Sequence, residues 1–116
     1  MQLSHERRGA TLIVRVAGEL DVGSAGEFRE AVDAWLAEAP FRRMVLNLGR
    51  VTFLDSTGLG AVLGRLRRAQ EARREMALVP PAGLGRSLLD RAALGRALPL
   101  FRSERAALGE EVQPDA

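Results

Sequence analysis

Short β-rich runs alternate with amphipathic stripes along this chain, and that alternation narrows its possible folds more than any other feature. Residues 11–17 (TLIVRVA) alternate loosely, as a strand should. Residues 44–48 (MVLNL) and 76–79 (MALV) are nearly continuous apolar runs, the pattern of strands covered on both faces. Between the first two runs, Phe28, Ala31, Val32, Trp35 and Leu36 recur at helical spacing, and Pro40 stops the stripe. Leu59, Val62, Leu63 and Leu66 make a second stripe that ends around Arg73. In 116 residues there is room for one such unit. The reading is a single small α/β domain: a central mixed, mostly parallel sheet, right-handed crossovers, and helices packed against it.

The flanks are less regular. A short strand near 2–7 with Gly9 in the turn predicts an opening hairpin. Ser24 with Glu27 three residues on has the form of a capping box at the first helix. A weaker helix is expected over about 82–93 on Leu84, Leu88 and Leu89, with Gly83 and Gly85 each costing about 1 kcal/mol relative to alanine. Residues 97–101 (ALPLF) suit a last strand, which Pro99 confines to an edge. Ser103 is placed to cap a final helix through Leu108, with Glu104 in its first turn. The expected division is a domain over 1–110 and a frayed tail over 111–116.

Inventory removes several function classes. With no cysteine there are no disulfides, thiol nucleophiles or thiolate metal sites. No apolar run approaches membrane-spanning length and no export leader opens the sequence, so a cytoplasmic location is expected. The sequence pI of 10.8 overstates the charge: all 17 basic residues are arginine and the net charge is only +2. A nucleic-acid binder would gather its arginines on one face beside aromatics. Here the tightest group, Arg65, Arg67, Arg68, Arg73 and Arg74, is interleaved with Glu71 and Glu75 and reads as a solvated helix face.

In folds of this class, sites collect in the loops leaving the carboxyl ends of strands. Two such loops carry acids and hydroxyls, Asp21 to Ser24 and Asp55 to Thr57. The second lies in FLDSTGLGAVLG (53–64), which invites a phosphate-cradle reading. That reading fails on spacing, because Leu63 stands where the dinucleotide fingerprint needs its third glycine, and no lysine exists for a P-loop. Gly60 and Gly64, one turn apart, are instead expected to admit a close backbone neighbour. Hydrolytic catalysis lacks a base near Ser56, since the only histidine is His5 on the opening segment. Glu19, Asp21 and Asp55 are a thin basis for a metal site. A receiver domain would place its acceptor aspartate where Asp55 lies, but it also needs an adjacent acidic pair and a lysine, both absent. The remaining choice concerns Ser56 and Thr57 at the start of the second helix. On spacing alone Ser56 reads as a plain N-cap, the commoner use of serine there. A phosphate acceptor is the alternative, because a helix N-terminus offers open donors and partial positive charge.

GELD (18–21), MVLNL (44–48) and FLDSTGLGAVLGR (53–65), in that order and spacing, closely resemble the bacterial anti-sigma-factor antagonists of the STAS domain family. The likeness runs from about residue 10 to 108. It implies a small α/β domain that is not an enzyme, binds no cofactor, nucleic acid or membrane, and is monomeric when free. It implies as partner an anti-sigma factor with serine kinase activity, which phosphorylates the first hydroxyl of the motif. Only the unphosphorylated antagonist binds that partner and frees the sigma factor; a PP2C-type phosphatase restores it. By match, Ser56 is the phosphorylation acceptor and Asp55 and Thr57 flank it. Gly58 permits close approach, and Asp21 with Ser24 lies in the adjoining loop where the partner docks. The resemblance also admits another role, a non-phosphorylated STAS adaptor subunit of a lipid transporter or stressosome. Gly95 stands where relatives commonly place an aromatic, which bears on the C-terminal end and leaves the acceptor motif untouched.

Overall fold

Strands β1 (Gln2–Arg8) and β2 (Thr11–Leu20) form the expected hairpin, paired antiparallel from Gln2 with Ala17 to Arg8 with Thr11. Gly9 takes the left-handed conformation (φ 57°) that so tight a turn requires. These elements come from a computed structural model, which describes residues 1–38, 40–81 and 99–110. After β2 come α1 (Ala25–Glu38), β3 (Arg43–Leu54), α2 (Ser56–Glu71), β4 (Glu75–Val79) and the short α3 (Glu104–Ala107). The sheet order is β1-β2-β3-β4, with β2, β3 and β4 mutually parallel. The mixed, mostly parallel sheet read from periodicity is therefore the sheet that forms.

Alternation along the strands makes two apolar layers. Leu12, Val14 and Val16 of β2 and Met44, Leu46 and Leu48 of β3 join Phe28 and Val32 of α1 and Val62 and Leu66 of α2 in the main core. The odd-numbered positions Ile13, Val45, Ala77 and Val79 face the other way and are covered by Ala107, with Phe101 and Leu108 packed alongside. Ser103 caps α3 as anticipated, its Oγ accepting from the Ala106 N–H at 3.1 Å. Next to this second layer, Arg15 donates to both carboxylate oxygens of Glu104 (2.7 and 2.9 Å) and to Glu6 (2.8 Å). Asn47 donates to Glu104 as well, at 3.2 Å. Arg15, followed by Asn47, holds the Glu104 carboxyl below the usual carboxylate range against the opposing pull of burial.

Several expectations are corrected. β3 runs to Leu54 rather than ending near Leu48, because its second half keeps backbone pairing with β2 through two register shifts while exposing Thr52 and Phe53. The strand expected over 97–101 is a single parallel bridge between Leu78 and Leu100; residues 97 and 98 lie outside the described residues. So do the helix expected over 82–93 and the tail over 111–116. Arg65 is not on a solvated face. It is 8% exposed, with Nε 3.0 Å from Asp33 of α1, and Arg68 reaches the same carboxylate oxygen at 2.9 Å. Trp35 is half-buried at the edge of the core, stacked on His5 with ring centroids 4.3 Å apart.

Candidate functional site

The parallel strands β2 and β3 end side by side, Leu20 in register with Leu54, and this pairing brings the two polar loops together. In the first loop Asp21 organises the turn. Its Oδ1 accepts from the N–H groups of Gly23 (2.9 Å) and Ser24 (3.2 Å), and its carbonyl accepts from Ala25 N–H (2.8 Å). The Ser24 hydroxyl turns back into this loop. It accepts from Asp21 N–H at 3.0 Å and donates to the Glu19 carbonyl at 2.9 Å. The expected capping box with Glu27 does not form, because an aspartate three residues earlier already occupies the serine N–H.

In the second loop the cap is Asp55, not Ser56. Asp55 is extended (φ −98°, ψ −178°) and its Oδ1 accepts from Gly58 N–H at 2.7 Å, the bond an N-cap makes to the third helical residue. Its other oxygen, Oδ2, accepts from Val22 N–H at 3.0 Å. One carboxylate thus fixes the start of α2 and the crest of the β2–α1 loop together. Adjacent capping residue types left the sequence ambiguous here; the geometry assigns the cap to the acid and frees the hydroxyl.

Ser56 and Thr57 consequently occupy the first two positions of α2, both exposed, and among the described residues the Ser56 hydroxyl has no hydrogen-bond partner. Their own N–H groups belong to the first turn, which has no intrahelical acceptor. Gly58 is buried against the end of β2. A Cβ there would lie 2.1 Å from the Leu20 carbonyl oxygen, so only glycine fits. Gly60 and Gly64, which spacing singled out for close approach, have nothing within 4 Å of an added Cβ. Whether a helix glycine is needed depends on the neighbouring backbone, here that of β2, and spacing within the helix does not reveal it.

Two large apolar residues close to this loop are exposed: Val22, near it through its backbone bond to Asp55, and Phe53, two residues before Asp55 in the chain. Val22 is 75% exposed and Phe53 52%, the two large apolar side chains that project into solvent among the described residues. Phe53 carried one usable signal: it lies directly before Leu54, whose burial leaves its neighbour on the outer side. The site so formed has an open hydroxyl, a helix N-terminus and a fixed acid bonded to the backbone of an exposed valine. His5, the one histidine in the sequence, is away from Ser56, on β1 beside Trp35 and 3.9 Å from Glu38. The described residues contain no group of three or more His, Asp or Glu able to hold a metal. Such a surface can be modified or bound.

Three comparisons bear on this surface. The family model of the STAS domain matches residues 2–107. An anti-sigma F factor antagonist of Paenibacillus polymyxa is 33% identical over 110 residues, 95% of this chain and 94% of that protein. Among solved structures, an anti-sigma factor antagonist from Mycobacterium paratuberculosis superposes with a TM-score of 0.82 at 25% identity, covering 93% of this chain and 91% of that one. The phosphorylated form of the Bacillus cell fate determinant SpoIIAA superposes with a TM-score of 0.73 at 25% identity, covering 93% and 97%.

Proposed function

Because this chain belongs to the STAS domain family, we propose that it is an anti-sigma-factor antagonist switched by phosphorylation of Ser56. Like the antagonists it resembles, it is a regulatory binding protein rather than an enzyme. In the unphosphorylated state the surface formed by Asp21, Ser24, Asp55, Thr57 and Gly58 docks on an anti-sigma factor, which then releases its sigma factor. The anti-sigma factor carries the serine kinase activity, and a PP2C-type phosphatase reverses the modification. The observation that carries this reading is the position of Ser56. Its hydroxyl is exposed and unspent because Asp55 does the capping. A phosphate at that place adds about −1.5 to −2 charge and sits at a helix N-terminus that tolerates it locally. It also lies beside the Asp55 carboxylate on the docking surface, so it changes recognition and spares the core.

The test is incubation of the protein with candidate anti-sigma kinases and ATP, then mass spectrometry of the peptide from Asp55 to Arg65. Phosphate on Ser56, abolished by Ser56→Ala, is the expected result. Ser56→Ala should still bind the partner and Ser56→Asp should bind it more weakly. Phosphate on Thr57 alone would move the acceptor. No phosphate with any kinase, together with undiminished binding by Ser56→Asp, would instead favour a constitutive adaptor subunit of a lipid transporter or stressosome.

A further inference from the structure

At the opposite ends of β3 and α2 from Ser56, the turn between α2 and β4 meets the segment leading into β3. Phe41, Arg42, Ala72, Arg73, Arg74 and Glu75 line a concavity there of about 310 Å³. The Arg74 guanidinium lies over the Phe41 ring, its Cζ 3.9 Å from the centroid, a cation–π contact that holds the side chain at the concavity. Among the described residues no carboxylate lies within 4 Å of Arg42, Arg73 or Arg74, whereas Arg8, Arg15, Arg65 and Arg68 each have one.

Arg73 adds a second observation. It follows the C-cap Ala72 and has φ 57°, the one non-glycine residue in the left-handed region among those described. Glycine is the ordinary occupant of that position, and a side chain there costs roughly 1 kcal/mol. The Arg73 N–H donates to the Gln70 carbonyl (2.9 Å) and the Arg74 N–H to the Ala69 carbonyl (3.0 Å), the bonds that close a helix end of this kind, and the exposed Arg73 side chain is left on the lining of the concavity. Three arginines against one glutamate give the lining an excess of two positive charges, which matches a doubly ionised phosphate group.

We propose that this concavity is an anion site for a phosphate monoester or diphosphate, held by Arg42, Arg73 and Arg74. A phosphorylated lipid headgroup presents the same chemistry as a soluble phosphate, and two arms of one experiment separate them. In the first, the full chain is titrated calorimetrically with sodium pyrophosphate at low ionic strength. In the second, it is cosedimented with phosphatidylcholine vesicles with and without phosphatidic acid. Arg73→Gly relieves the left-handed strain, so its melting temperature should equal or exceed that of the wild type. Its pyrophosphate affinity should nonetheless fall about 10-fold or more, as should that of Arg42→Gln, on the loss of charge-assisted hydrogen bonds. Binding confined to the phosphatidic acid vesicles, and lost in Arg73→Gly, would assign the site to a headgroup. No binding in either arm, or binding that survives both substitutions, would overturn the proposal.

Discussion

Asp55 and Ser56 divide labour that either could perform alone. Because the carboxylate caps α2 and also tethers Val22, Asp55→Ala should cost about 1 kcal/mol for the cap, and more for the loosened loop. Ser56→Ala removes no cap and should stay within about 0.5 kcal/mol of the wild type. Chemical denaturation of the two variants checks the contrast, and a cost for Ser56→Ala as large as that for Asp55→Ala would contradict the assignment. Gly58 obeys a harder constraint. Its missing Cβ is what lets α2 start against the Leu20 carbonyl, and a backbone atom cannot swing aside as a side-chain tip does. Gly58→Ala should therefore destabilise by about 1–3 kcal/mol and shift α2 outward, whereas Gly60→Ala should stabilise by about 0.5–1 kcal/mol through helix propensity. Thermal melts of both variants test this; equal effects would show that the approach to β2 is looser than the geometry indicates.

The two long helices meet through a partly buried charge. Burial pushes the Arg65 guanidinium down from its ordinary range while Asp33 opposes the shift. The pair is imperfect, since Arg65 Nε and Nη1 make no well-formed hydrogen bond. Replacing Asp33 by Asn leaves the arginine without its counter-ion and should cost about 1–3 kcal/mol. That is less than a fully buried pair would lose, because the Asp33 side chain is still 32% exposed. Arg65→Met combined with Asp33→Leu should recover most of that loss, and urea unfolding of the single and double variants measures it. On the far side of the sheet, α3 is tied down by Arg15 and Glu104. The folded Glu104 carboxyl titrates below its ordinary value of 4.5, so its contribution is complete above that pH and disappears as pH falls through the folded value. Wild-type protein should lose more stability between about pH 5 and pH 3 than Glu104→Gln does, as followed by the urea midpoint at each pH.

At the scale of the whole molecule, strands and helices were legible because binary patterning alone separates period two from period 3.6. The hairpin, the parallel core and the α3 cap all follow from that patterning and from turn residues. What escaped depended on partners distant in sequence. Arg65 looks like any surface arginine until Asp33 of another helix faces it. Gly58 looks like Gly60 until β2 arrives beside it. The position of Ser56 was legible, but its availability was not, because two capping residue types stand next to each other. The order of the sheet has its own consequence in time. Each strand pairs with the one before it in the chain, so assembly can proceed by successive addition, without a late segment having to thread between strands already joined. Every residue of the Ser56 surface lies within the first three strands and two helices. A growing polypeptide therefore contains every residue of the proposed docking surface before β4 and α3 have been synthesised.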